Sequence, residues 1–114
     1  RDSEEFAKDL LFYSEMKFRQ KCYNESAMSV TKAWNILLPL SKNGTNGVFE
    51  VMEQNKLAFR TLYLMGIVSV RQKKYRRALN SFHLAMSYLH NLEKEENIQD
   101  RAKLSPLDIK NDMD

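Results

Sequence analysis

The sequence predicts an all-α fold built from antiparallel helix pairs, and three observations lead there. Apolar residues recur at helical intervals in four successive segments. Only three glycines and two prolines occur among 114 residues, too few to turn a chain of many short strands. No useful length shows the period-2 alternation of a half-buried strand. With 43% hydrophobic residues the chain can bury one modest core.

The first helix is expected over 4–21. Phe6, Leu10 and Tyr13 lie along one line of it, with Leu11 and Phe18 on an adjoining face. The chain should then turn around 22–24, where Asn24 is a good N-cap because its side chain can accept from free N–H groups of the next helix. That helix runs to about position 38, with Val30, Ala33, Trp34 and Leu37 on one side. Pro39 is expected to stop it. Positions 41–47 (SKNGTNG) read as a loop. The third helix is expected over 48–72. The fourth follows a tight turn near 73–74, carries Ala78, Phe82, Ala85 and Leu89 at helical intervals, and should fade after Glu93. A short helix over 98–104 and a loose tail from Pro106 would complete the chain. The expected organisation is therefore a helical domain over 1–96 and a tail segment over 97–114.

The strongest signal is an internal repeat at an offset of 52. Phe18-Arg19-Gln20-Lys21-Cys22-Tyr23 matches Val70-Arg71-Gln72-Lys73-Lys74-Tyr75, and the same register pairs Leu10 with Leu62, Ser14 with Gly66, Ser26 with Ala78, Ala33 with Ala85 and Leu37 with Leu89. The pattern resembles the tetratricopeptide repeat, with one copy over 7–38, a second over 59–92 and a linker over 39–47. Met65-Gly66 stands where Leu-Gly is usual in that family, Tyr75 at its turn, and Ala78, Phe82 and Ala85 on its small-large-small set. The resemblance implies a right-handed helical repeat of four to five helices. Gly66 and Ser14 inside helices would cost about 1 and 0.5 kcal/mol relative to alanine. Close packing against Ala78 and Ser26 is the expected offset. The sequence also departs from the family. Lys17 and Ser69 stand at a usually aromatic position, the family proline is displaced to Pro39 or replaced by His90, and 52 exceeds the usual spacing of 34, so the third helix must be unusually long.

Little in the chain points to catalysis, and no enzyme activity is expected. His83 and His90 are two turns apart, about 10.5 Å by helix rise, too far to share a metal ion. One cysteine, Cys22, makes neither a zinc set nor an internal disulfide, and leans towards a reducing compartment. No phosphate-binding glycine loop or nucleophile elbow occurs. The methionines, Met16, Met28, Met52, Met65, Met86 and Met113, share no face and read as core filling. No cofactor is expected. No apolar run approaches the roughly 20 residues of a membrane span, no secretory signal is visible, and Arg1 reads as the start of an excised piece. An intracellular place, cytoplasmic or nuclear, is expected. There the glycosylation-like triplets at Asn24 and Asn43 would go unused.

The expected activity is protein–protein interaction. In the resembled family ligands lie in a groove lined by the first helix of each pair. The matching positions here are Lys8, Leu11, Glu15, Phe18 and Arg19, with Arg60, Tyr63, Ile67, Val70 and Arg71. The resemblance implies an adaptor groove for an apolar or amphipathic peptide, with Arg19 and Arg71 meeting acids at its edge. Leu11, Phe18, Tyr63, Ile67 and Val70 lie off the internal packing stripe, so either a ligand or another helix must cover them. Some family members clamp the carboxylate of chaperone tails, but the asparagine positions of that clamp hold Phe12, Glu15, Leu64 and Ile67, so a chaperone tail is not expected. Two repeats make a thin core, and a homodimer is the second reading. The basic run of Arg71, Lys73, Lys74, Arg76 and Arg77 gives a third, contact with nucleic acid or anionic lipid. A solvated charged turn is the simpler account of the run, an acidic protein partner comes next, and nucleic acid is not expected.

Overall fold

The protein was analysed as a computed structural model, which describes residues 3–42 and 48–103. Four helices follow one another: α1 (Ser3–Arg19), α2 (Tyr23–Lys42), α3 (Val48–Arg71) and α4 (Tyr75–Lys103). No strand occurs among the described residues. α1 packs on α2 and α3 on α4, while α3 also lies against α2 and, less extensively, α1. The fold is all-α, as its periodicity predicts. Charge assists the first helix: Glu4 and Glu5 open α1, while Lys17 and Arg19 close it, each sign at its favourable helix end.

The two tight turns are built alike. After α1, the Lys17 carbonyl accepts from the Cys22 N–H at 2.9 Å and the Phe18 carbonyl from Lys21 at 2.9 Å. After α3, the Ser69 carbonyl accepts from Lys74 at 2.8 Å and the Val70 carbonyl from Lys73 at 2.9 Å. These are the crossed bonds of a Schellman motif, duplicated at the offset of 52. The motif needs a left-handed residue, and Lys21 and Lys73 supply it with φ of 64° and 65°. A lysine in that region carries a penalty of about 1–2 kcal/mol that glycine escapes. Lys73→Gly should therefore raise unfolding stability by about 0.5–1 kcal/mol, read as a higher denaturant midpoint at unchanged slope.

Several boundaries differ from expectation. Asn24 is not the N-cap of α2. The Cys22 carbonyl accepts the first helical bond, from Ser26 at 3.0 Å, and the Lys74 carbonyl does the same for Ala78. Asn24 lies inside the first turn, and its Oδ1 accepts from Gln72 Nε2 at 2.8 Å, tying one turn to the other. Pro39 does not stop α2, which continues to Lys42. Proline forfeits one N–H bond, but so near the helix end that cost falls on a terminal turn. The loop read over 41–47 is correspondingly shorter, and 43–47 lie outside the described residues. α4 neither fades after Glu93 nor restarts at 98, because no glycine or proline interrupts a run of good helix formers. Its end at Lys103 is the last described position, so the tail read beyond it lies outside the described residues.

The core joins both pairs. Ala7, Leu11, Val30, Ala33 and Leu37 of the first pair cluster with Leu57, Leu64, Met65 and Val68 of α3. Inside the first pair, Ser14 Oγ donates to the Ser26 carbonyl at 2.7 Å and Ser26 Oγ donates back to the Ser14 carbonyl at 2.8 Å. Both serines are fully buried, and this exchange holds the two backbones close. The matching site in the second pair is packed differently. Gly66 lies directly against Phe82: a β-carbon there would sit 2.5 Å from the Phe82 ring. Phe82 stands where the first pair has Val30, and its larger ring fills space that the Ser14 side chain takes in the first copy.

Candidate interaction surface

The first helices of the two pairs lie side by side, tied by two polar contacts. Arg60 Nη2 donates to Glu15 Oε2 at 3.0 Å, and the Arg71 guanidinium lies 5.6 Å from the centre of the Phe18 ring. These contacts bring Glu15, Phe18 and Arg71 of the expected groove together. They also show where the groove expectation fails. Leu11 is only 1% exposed, a core residue sealed between the pairs, and offers nothing to a partner. Phe18 is half-buried, packed on that core and tilted against Tyr23 at 5.6 Å. Arg19 and Arg71 are exposed, and Glu15 and Ile67 half-buried.

The apolar members of the expected groove divide: Leu11 and Phe18 belong to the seam between the helix pairs, while Tyr63 and Val70 are exposed. In the first pair, Leu11, Phe18, Tyr23, Ala27 and Trp34 are buried or packed against the core. Adding 52 gives Tyr63, Val70, Tyr75, Leu79 and Met86, every one apolar or aromatic. All five are open to solvent, at 50%, 40%, 63%, 57% and 60% exposure. The second pair thus repeats the chemistry of a seam on which no other described helix lies. Exposed side chains of this size on one face call for a cover.

Three rings order that face. Phe59 stacks on Tyr63 with centroids 5.8 Å apart, and Tyr63 leans on Phe82 at 5.9 Å. Tyr63 is therefore held in place, while half its surface remains free. The half-buried Phe59, Phe82 and Leu89 stand where the first pair has the buried Ala7, Val30 and Leu37, as expected of a layer lacking its outer cover. Tyr75, Leu79, Phe82 and Met86 were missed as site residues. Counting forward 52 from Tyr23, Ala27, Val30 and Trp34 would have found them. Trp34 itself, partly buried, meets Tyr88 of α4 edge-on at 6.0 Å.

The basic turn has a geometry of its own. Lys73, Lys74, Arg76 and Arg77 are all exposed, and Arg77 Nη2 donates to Thr31 Oγ1 at 3.2 Å, bracing α4 on α2. A cleft of about 340 Å³ runs between the two turns, bordered by Lys21, Tyr23, Asn24, Arg71, Gln72 and Lys74. Three cations and no carboxylate line it. Lys17 does not add to this field, because Glu25 sits 3.7 Å away and its charge, first among the causes, raises the Lys17 pKa above its ordinary value. His83 and His90 are exposed. Among the described residues no group of histidine, cysteine and carboxylates could hold a metal ion, and no helix is long and apolar enough to cross a membrane.

Comparison of the chain with family models, with curated proteins and with solved structures finds no match.

Proposed function

We propose that this chain is a tetratricopeptide-type protein-interaction domain whose binding surface is the outer face of the α3/α4 pair, and that it takes an amphipathic helix there. The observation that carries this reading is the open seam: Tyr63, Val70, Tyr75, Leu79 and Met86 repeat, at an offset of 52, the residues that the first pair buries under the second. The first seam also describes the ligand. Its cover is α3, which presents Leu57, Leu64, Met65 and Val68 to the core at the three-, four- and seven-residue intervals of one helical face. A partner helix with bulky aliphatic residues at those intervals meets the same requirements, which is recognition of a helix by an apolar surface.

The test sets this face against the basic turn. Leu79→Glu with Met86→Glu places two charges on the open seam, where anchors contribute about 2 kcal/mol or more each, so affinity for a captured partner should fall by roughly 30-fold per residue. Lys73→Glu with Arg76→Glu reverses charge at the turn and leaves the seam intact; it should retain most of the affinity. Circular dichroism establishes first that both variants stay folded. If the folded turn variant alone loses the partner, and wild-type binding weakens steeply with salt, the site is the cleft between the turns and the ligand is polyanionic.

A further inference from the structure

The other end of the molecule carries the complementary half of the same seam. Subtracting 52 from Leu64, Met65 and Val68, the α3 residues that cover the first pair, gives Phe12, Tyr13 and Met16 on α1. Phe12 and Tyr13 are exposed and Met16 is half-buried. The chain therefore has an apolar head on α1 that matches α3 in register, and an apolar tail on α3/α4 that matches the seat of α3. Among the described residues, eight of the ten large exposed hydrophobics are accounted for this way or adjoin these positions: Phe6, Phe12 and Tyr13 at the head, with Tyr63, Val70, Tyr75, Leu79 and Met86 at the tail.

We infer that the occupant of the tail face is the head of a second copy of this chain, stacked as the second helix pair stacks on the first. The inference rests on the tail being the binding surface, and it names the partner. Two of the three side-chain hydrogen bonds across the internal seam carry over to polar pairs, while the third, Arg60 to Glu15, becomes Lys8 against Ile67. The bond from Arg77 to Thr31 becomes Glu25 of the incoming copy against His83, and that from Gln72 to Asn24 becomes Gln20 against Arg76. One seam position is acidic in the head, Glu5 in place of Leu57. Leu57 shares a cleft with Glu4 and Lys8, whose counterparts on the tail are Lys56 and Arg60; these are paired within the chain to Glu53 and Glu15, so Glu5 meets them by exchange of partners.

Such a contact joins unlike faces. It does not close on itself, so copies add in series rather than stopping at a symmetric pair. Sedimentation of the full chain across a wide concentration range should show a mass that climbs beyond twice 13.4 kDa without a plateau. Leu79→Glu with Met86→Glu blocks the tail, and Phe12→Glu with Tyr13→Glu blocks the head. Each variant alone should remain a monomer, because neither has both faces. Mixed, they should form a one-to-one complex and go no further. A head variant that still self-associates alone would mean tail-to-tail pairing and would overturn head-to-tail stacking. Wild type that stays monomeric at every concentration would overturn self-association altogether. In that case loss of a different, captured protein by the tail variant would still uphold the binding face, and retention of that protein would remove the face as well.

Discussion

Ala33→Arg is expected to unfold the chain, whereas Ala85→Arg, at the matching position of the second pair, should only weaken it. Ala33 is fully buried within the cluster that joins α1, α2 and α3. An arginine there has no carboxylate to meet and no open side to escape through. An uncompensated buried charge costs about 3–5 kcal/mol, and forcing the stem into a filled site adds about 1–3 kcal/mol. Together these come to about 4–8 kcal/mol, enough to cancel the stability of a domain in the lower part of the usual range of about 5–15 kcal/mol. Ala85 is equally hidden, at 2% exposure, but the helix around it is not: Leu84 and Met86 on either side stand in solvent. A long stem can lie along that open face and bring the guanidinium to water, leaving a loss of roughly 1–3 kcal/mol from misfit alone. Thermal melts followed by circular dichroism compare the two. Equal losses would mean that the outer side of α4 is as closed as that of α2, which the open seam forbids.

The four helices were legible in the sequence because their signals are local. Apolar intervals, the scarcity of glycine and the repeated stretch before Tyr23 and Tyr75 all act within a turn or two of chain. What escaped depends on balances that a single residue type does not reveal. Pro39 is a helix breaker by preference, yet its cost is small near a terminus. Asn24 is a strong N-cap by preference, yet its side chain serves Gln72 while the preceding turn sets the backbone. Gly66 was legible as a close approach, but the ring against it was not: that depends on the size of Phe82, read against Val30 in the first copy.

The site divides along the same line. That Leu11, Phe18, Tyr63 and Val70 lie off the packing stripe follows from helical spacing, but whether a residue off the stripe is covered depends on what stands beside it in space. Leu11 has α3 beside it and is core. Tyr63 occupies the same place in the second pair with no described helix beyond it, and is half exposed. A groove read from two equivalent rows of residues thus resolves into one closed seam and one open seam.

That division can be measured with one pair of variants. Leu11→Ala removes a fully buried side chain from a cluster shared by three helices, and should cost about 2–5 kcal/mol, the range for emptying such a site. Tyr63→Ala, 52 residues on, loses contact with Phe59 and Phe82 on a face already open to water. Aromatic pairs of this kind contribute about 0.5–1.5 kcal/mol beyond simple burial, so the expected loss is near that amount. Denaturant titrations of the two variants should therefore differ by several-fold in lost stability. With a seam partner present the order reverses. Leu11→Ala, studied at a temperature where it remains folded, should bind as wild type does, because Leu11 touches only its own chain. Tyr63→Ala should lose affinity by an order of magnitude or more, in keeping with about 2 kcal/mol for an aromatic anchor at an interface. If Tyr63→Ala instead unfolds the chain while Leu11→Ala leaves it intact, the two seams have been assigned the wrong way round.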